Sequence, residues 1–199
     1  GKVDNATSTT STGVGLRLLK ENQCIYGFTT DLTRNGLLKL ANTLNKSFHN
    51  ERLLTVDHLD LVRCPNRNQI KKSYQEVTRE DMISLLREGM DEINSLGDPR
   101  IVRTIASFSC NIRNVAVYNS KGKWFNRTTE FSRIAFMVIA ADQNGFETGF
   151  EGPGCQDDFS YYATALDVRK TAKKAAETAL MMLTAAECPS GRMPVVVGN

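Results

Sequence analysis

The sequence predicts an α+β protein with antiparallel or mixed sheets and helices packed on one face of them. Three observations predict this class: strand pairs joined by polar turns, three segments with helical apolar spacing, and the order helix, strands, helix, strand in the second half, without internal repeats. We expect two parts joined by a linker. Residues 1–54 form an incomplete N-terminal α/β domain, 55–77 the linker, and 78–199 a central domain of helix, antiparallel sheet, helix and strand.

The length and composition of the chain fit an ordinary globular protein. The 199 residues suffice for one large or two small domains, and 41% hydrophobic with 24% charged residues is a typical composition. The net charge of +3 is too small and too dispersed to indicate a dedicated nucleic-acid module. No apolar run approaches the roughly 20 residues that a membrane helix needs, and the first residues lack the apolar region of a signal peptide. We therefore expect a cytoplasmic location.

The first part reads as a hairpin followed by a helix. In "TGVGLRLLKENQCIYGFTTD" apolar and polar residues alternate on both sides of a polar turn at 20–22. Asp31 and Thr33 then offer capping oxygens for a helix. Its apolar stripe steps by four, three and four residues: Leu37, Ala41, Leu44 and Phe48.

The linker loses this periodicity, and "CPNRN" at 64–68 cannot hold a regular element. It also carries a group of basic residues, namely Arg63, Arg67, Lys71 and Lys72. Such a cluster could grip a phosphate, but a solvated linker is the favoured interpretation.

The central domain opens with a well-marked helix. Thr78 can cap it, Glu80 and Asp81 lie in its first turn, and Gly97 with Pro99 ends it. Strands follow. We predict two in "RIVRTIASFSCNIRNVAVYNS", bent near 110–111, and a hairpin in "RIAFMVIAADQNGFETGFEG" with the type I′ signal Asn-Gly at 144–145.

The last predicted elements are a helix and a strand. Small residues line one face of the helix, where they allow close approach to a sheet: Val168, Ala172, Ala175 and Ala179, continued by Met182, Leu183 and Ala186. Its basic residues mark a solvated face. Residues 193–197, "MPVVV", read as a buried strand because they are apolar and mostly β-branched.

The sequence contains no complete catalytic motif. His49 and His58 are nine residues apart, not the three or four of a shared helical metal site, and the metallopeptidase pattern HExxH is absent. The five cysteines form no CxxC pair, which favours reduced thiols over a zinc ribbon or a disulfide framework. We assign no catalytic residue and no metal ligand.

One loop, "GFEGPGCQDDFSYY", has an unusual composition. Gly152 and Gly154 allow a close backbone approach, and Asp157, Asp158 and Tyr161 add polar groups. A plain connecting loop is the simpler interpretation. The functional alternative is a loop that lines a substrate channel completed by residues outside this chain, in which the two aspartates could act as a carboxylate pair.

The order of these segments resembles the TldD/TldE (PmbA) metallopeptidase family, formerly described as modulators of DNA gyrase. The resemblance lies in "GVGLRLLKENQCIYGFTTDLT", "VTREDMISLLREGMDEINSLGDPRIVRTIASFS", "FETGFEGPGCQDDFSYY" and the closing "ALDVRKTAKKAAETALMMLTAAECPSGRMPVVVGN". These segments cover most of the chain in collinear order. No single segment is very specific, but their order is.

The resemblance implies a fragment with a non-catalytic role. In active members a strand like "PVVV" leads into a helix with HExxxH, whose histidines bind zinc; that helix has no counterpart here. We therefore expect no cofactor in this chain, which alone would be inactive, and zinc in a catalytically active parent. The resemblance further implies a role in building a homo- or heterodimer and a chamber for peptide or unfolded-protein substrates.

The alternative is a stand-alone α+β module that binds a protein partner or, weakly, nucleic acid. If the chain is similar to this family in function, we expect it to bind neither a membrane nor nucleic acid.

Overall fold

The fold was analysed in a computed structural model of the chain. It describes residues 3–48, 56–62, 70–143, 145–186 and 190–197. The element order is that of an α+β protein, as predicted, with seven strands and four helices among the described residues.

The chain divides into two units. The core unit comprises Arg63–Ala116 and Asn126–Asn199 together with Gly1, and the hairpin unit comprises Lys2–Val62 and Val117–Phe125. The domain bounds predicted from the sequence stay predictions.

In the hairpin unit, two antiparallel strands carry one helix. β1 (Val14–Lys20) pairs with β2 (Gln23–Thr29), and Glu21 in the turn between them has a φ of 50°. α1 (Arg34–Lys46) follows; the Thr33 side chain caps it by accepting from the Gly36 amide at 3.1 Å. The predicted hairpin and cap are confirmed.

The linker contains a short strand that the sequence did not indicate. β3 (Asp60–Leu61) pairs in parallel with the first residues of β5 (Lys123–Asp142). The Asp60 carboxylate lies between two side chains, 2.8 Å from the His58 Nε2 and 2.6 Å from the Lys123 ammonium. A two-residue strand is too short for any periodicity to be visible. The "CPNRN" segment itself lies outside the described residues.

In the core unit, α2 (Arg79–Ser95) begins with a complete capping box. The Thr78 hydroxyl accepts from the Asp81 amide at 3.1 Å, and the Asp81 carboxylate accepts from the Thr78 amide at 3.0 Å. The Thr78 hydroxyl also donates to the Asp81 carboxylate, at 2.9 Å. The bonds from the Thr78 amide and hydroxyl favour the ionised carboxylate and lower the pKa of Asp81, with the amide as the largest cause. Gly97, with a φ of +60°, follows the helix.

We expect Thr78→Ala to lower the free energy of unfolding by about 1 kcal/mol, because the first turn of α2 loses its side-chain acceptor. Urea unfolding followed by circular dichroism measures this loss. Thr78→Ser keeps the hydroxyl and is expected to retain most of the stability. Equal stabilities for the alanine and serine variants would show that the cap contributes little.

The sheet of the core unit is built around β5. β4 (Ile101–Tyr118) pairs along one edge of β5, and β6 (Gly145–Glu151) and β7 (Gly154–Cys155) pair antiparallel with the other. The predicted hairpin of β5 and β6 is confirmed, although residue 144 lies outside the described residues.

The prediction of two strands in the segment of β4 is wrong. β4 is one continuous strand of 18 residues beside the 20-residue β5. The polar pair Cys110-Asn111 suggested a break, but the alternation of Ala106, Phe108 and Ile112 toward the core continues through it. Pairing along the whole of β5 therefore outweighs the local polarity.

The core lies between this sheet and α2 and α4 (Val168–Met182). Alternate side chains of β5 are completely buried, with 0% exposure: Ile134, Phe136, Val138 and Ala140. The predicted small-residue stripe of α4 is confirmed at Val168, Ala172, Ala175 and Ala179, which are buried together with Ala176. Its predicted continuation is wrong at Met182 and Ala186, which are exposed, whereas Leu183 packs against the core.

The opposite side of the sheet, which we call the open face, is not the side on which α2 and α4, the long helices of the core unit, pack. It is formed by the odd-numbered residues of β5 and the β6 residues directly opposite them, because paired residues of neighbouring strands point to the same side. The corresponding side of β4 carries its odd-numbered residues from 105 to 113.

No strand forms at residues 193–197, so the predicted terminal strand is wrong for the described structure. These residues pair with no described strand, and Val196 is 97% exposed. None of the described helices has the length and apolar character that crossing a membrane requires.

Candidate functional site

The five candidate site residues all lie in the chain that joins β6 to α4, on the edge of β5. The glycine-rich part contains β7, and the part after it contains a four-residue helix, α3 (Tyr161–Thr164), which was not predicted. The structure therefore brings the candidate residues into one loop, residues 152–162, which we call the glycine loop.

Gly152 and Gly154 lie close to neighbouring residues of the sheet. A Cβ on Gly152 would meet the Arg133 guanidinium at 2.8 Å and the Phe150 ring at 2.7 Å. A Cβ on Gly154 would stand 3.0 Å from the Ser132 carbonyl oxygen, which is tight because β7 pairs with β5 there. Both glycines thus seat the glycine loop against the sheet.

Asp158 is buried and binds the segment that leads into α2. Its exposure is 1%. One carboxylate oxygen accepts from the backbone amides of Lys71 and Lys72, the latter at 3.0 Å, and the other accepts from the Ser160 amide at 2.8 Å. Burial raises the pKa of Asp158, but the hydrogen bonds from Ser160 and the two amides outweigh it and hold the pKa below its ordinary value.

A second buried carboxylate holds the next two residues. Glu130, with 4% exposure, accepts from the Ser73 hydroxyl at 2.6 Å and from the Tyr74 amide at 3.0 Å. Four consecutive residues, 71–74, are therefore fixed by two carboxylates from distant parts of the sequence. Sequence reasoning missed Glu130 because its partner lies 56 residues away.

Three hydroxyl groups form a buried chain beneath the glycine loop. The Tyr74 hydroxyl donates to the Ser132 oxygen at 2.6 Å, and the Ser132 oxygen lies 2.7 Å from the Tyr162 hydroxyl and 3.3 Å from the Cys155 sulfur. Burial raises the pKa of Tyr162 to about 12 and that of Tyr74 further. Both phenols stay neutral at physiological pH, so they are suited to hydrogen bonding and not to proton abstraction.

Aromatic rings surround the hydroxyl chain. Phe108 lies 5.2 Å from Tyr162 and 6.2 Å from Tyr74, ring centre to ring centre, and Phe159 lies 6.1 Å from Tyr74 with its ring perpendicular. The Lys72 ammonium lies 4.9 Å above the Phe159 ring. The base of the glycine loop thus combines a buried chain of hydroxyl groups with the aromatic rings that pack around it.

Among the candidate residues, Asp157 and Tyr161 are the two whose side chains reach the surface. Asp157 is exposed, and its carboxylate accepts only the Asp158 amide, at 2.9 Å, among the hydrogen bonds of the described residues. It borders a cavity of about 10 Å³, which has room for about one water molecule. Tyr161 is half-buried, with its ring perpendicular to that of Tyr162 at 5.3 Å. Asp157 and Asp158 therefore have different surroundings, one solvated and one saturated with amide donors.

The described residues do not fit a zinc site. No group of three histidine, cysteine, aspartate or glutamate side chains in the described part of the chain could hold a metal ion. His58 bonds to Asp60 and is 81% exposed, whereas His49 lies outside the described residues. Cys24, Cys110 and Cys155 are free thiols.

The predicted phosphate-binding cluster is described only in part. Lys71 and Lys72 are described, and their backbone amides are bound to Asp158. Arg63 and Arg67 lie outside the described residues.

Comparison with known proteins identifies the chain's relatives. The family model of the PmbA/TldA metallopeptidase central domain matches residues 72–183, and that of the PmbA/TldA metallopeptidase domain 1 matches residues 1–47. The chain belongs to the PmbA/TldA metallopeptidase family. The resemblance seen in the sequence, to the TldD/TldE (PmbA) family, is thereby confirmed.

Individual relatives agree with this assignment. The chain is 22% identical to the metalloprotease TldD homologue of Buchnera aphidicola and 23% identical to that of Haemophilus influenzae, with 94% of the chain covered in each case. It spans 40% of the length of both relatives.

A solved structure shows the same fold. It is that of a Bacteroides thetaiotaomicron protein named for modulation of DNA gyrase, with a TM-score of 0.66 at 13% identity. The match covers 85% of this chain and 39% of that one.

Proposed function

We propose that this chain is the non-catalytic N-terminal and central part of a TldD/PmbA-type zinc metallopeptidase, in which the glycine loop borders the path of the peptide substrate. The family membership supports the peptidase context, and the chain's 40% share of its curated relatives leaves room for zinc ligands elsewhere in the parent. Since the described residues do not fit zinc, we derive no hydrolytic step from them.

The observation that carries this proposal is the contrast between the base and the rim of the glycine loop. The base is fixed by Asp158 and by the buried hydroxyl chain, whereas the Asp157 carboxylate is solvated and Tyr161 is partly open. A rigid loop that presents one carboxylate and one aromatic ring can contact a passing peptide at little entropic cost. The loop would position the substrate, and a dimer would complete the chamber around it.

We expect this chain to bind an unfolded protein through the rim of the glycine loop. Fluorescein-labelled, reduced and carboxamidomethylated ribonuclease A, an unfolded protein of net positive charge, serves as the probe, and fluorescence anisotropy gives the dissociation constant. Replacing both Asp157 and Tyr161 by alanine should raise that constant about fivefold, equivalent to about 1 kcal/mol of binding free energy.

Asp91→Ala is the matched control, since Asp91 is an exposed aspartate of α2 outside the loop. If the double variant binds the probe as tightly as the control, the loop does not border the peptide path.

A further inference from the structure

The open face is an apolar surface that α2 and α4, the long helices of the core unit, leave uncovered. Its large side chains are between a third and three quarters exposed: Ile105 (41%), Phe131 (37%), Met137 (36%), Phe146 (74%) and Phe150 (47%). Monomeric proteins seldom expose apolar side chains grouped in this way unless the patch binds something.

The charges on this face have one sign. Strand alternation places the odd-numbered residues of β4, from position 105 onward, and those of β5 on this face. The ionised residues among them include Arg113, Arg127 and Arg133. All three are exposed, and no carboxylate pairs with them in the described part of the chain.

The acidic residues of the same strands point the other way. Glu130 is buried on the helix side, and Glu151 lies 2.7 Å from Lys174 of α4. Glu147 and Asp142 share that side, because Glu147 is opposite the buried Ala140 and Asp142 follows the same alternation. The separation of charge between the two sides of the sheet is therefore complete for these strands.

One arginine is held in place before any partner arrives. The Arg133 Nε donates to the Gly152 carbonyl oxygen at 2.9 Å, and its guanidinium carbon lies 5.5 Å from the centre of the Phe150 ring. Immobilising this side chain on binding therefore costs less conformational entropy than for a free arginine.

We propose that the open face binds an acidic polypeptide segment with interspersed apolar side chains. Phenylalanine, methionine and arginine are enriched at the centres of protein interfaces, whereas lysine, aspartate and glutamate are depleted, and this face follows that composition. Carboxylates of the segment pair with the arginines, and its apolar side chains cover Met137 and Phe150. The inference does not rest on the proposed peptidase role, since it needs neither Asp157 nor Tyr161, although Gly152 of the glycine loop accepts a hydrogen bond from Arg133 of this face.

Two other occupants fit less well. A second copy of the same face would set arginines against arginines, which like-charge repulsion disfavours. Single-stranded nucleic acid needs aromatic rings for base stacking along a basic groove, but the middle of this face is formed by Met137 and the half-buried Ile139.

The test compares two fluorescein-labelled peptides, one rich in glutamate with leucine and phenylalanine, and one with lysine in place of every glutamate. We expect the 199-residue chain to bind the glutamate peptide at least about tenfold more tightly, and added salt to weaken that binding. Arg113→Glu should raise its dissociation constant by about fivefold or more. Phe150→Ala should also weaken binding. The affinity lost through this apolar substitution should depend less on the salt concentration than the affinity lost through Arg113→Glu.

Arg87→Glu is the matched control, since Arg87 is exposed on α2 and its reversal changes the net charge equally. Equal affinity for both peptides, or equal effects of Arg113→Glu and Arg87→Glu, would overturn the proposal. Tighter binding of a labelled oligothymidine than of the glutamate peptide would assign the face to nucleic acid. A concentration-dependent dimer in analytical ultracentrifugation that Phe150→Ala abolishes would assign it to a second copy.

Discussion

Gly149→Ala is expected to destabilise the core unit by about 3 kcal/mol, lowering the melting temperature by roughly 10 °C. Gly149 lies in β6 opposite Val138, on the side covered by α4. A Cβ there would overlap the backbone carbonyl oxygen of Ala175 and stand 2.5 Å from the Ala179 amide nitrogen. Backbone atoms cannot rotate away as a side chain can, so α4 has to move off the sheet and loosen the packing of its alanines.

Differential scanning calorimetry of the variant measures this effect. Thr148→Ala is the matched control, because Thr148 neighbours Gly149 in the same strand but points to the open face. We expect the control to stay within about 1 kcal/mol of the parent chain. A Gly149→Ala variant as stable as the control would mean that α4 does not lie as close to β6 as described.

Asp158→Ala is expected to lower the free energy of unfolding by about 3 kcal/mol and to release the segment that leads into α2. The substitution removes the acceptor for three backbone amides, of Lys71, Lys72 and Ser160. Hydrogen bonds to a charged acceptor contribute about 1.5–3 kcal/mol, and buried donors left without a partner add a penalty. Trypsin should therefore cleave after Lys71 and Lys72 faster than in the parent chain, which quantitative mass spectrometry of the digest detects.

The Asp158 carboxylate also makes the free energy of unfolding depend on pH. Because the pKa of Asp158 in the folded chain lies below its ordinary value of 3.8, its stabilising effect is complete above that value and is lost as the pH falls through the folded pKa. Urea unfolding between pH 2 and about 6 should show a shallower acid loss for Asp158→Asn than for the parent chain. Asp157→Ala, which removes an exposed carboxylate, should cost less than about 1 kcal/mol. Unchanged cleavage and an unchanged acid profile for the Asp158 variants would contradict the anchoring role.

Local signals in the sequence predicted the helices well. The Thr78 capping box, the Thr33 cap and the small-residue stripe of α4 depend on residues within three or four positions of one another, so spacing alone reveals them. The hairpin of β5 and β6 was found for the same reason, since its two strands meet at a short turn.

The architecture of the site depends on contacts that spacing does not reveal. Asp158 meets Lys71 across 87 positions, and Ser132 meets Tyr74 across 58. Nothing near Asp158 in the sequence distinguishes a buried anchor from a solvated carboxylate such as Asp157. The single-sided placement of Arg113 and Arg133 was readable from strand alternation, but only once β4 was known to be one strand.

We propose that this chain engages peptides without carrying the hydrolytic centre. Bound zinc and peptide hydrolysis can be measured together on the purified 199-residue chain after incubation with zinc, with binding of carboxamidomethylated ribonuclease A recorded in the same samples. We expect binding of the unfolded protein, zinc well below one ion per chain, and no more cleavage than in buffer alone. One zinc ion per chain, with cleavage that a chelator abolishes, would contradict this proposal.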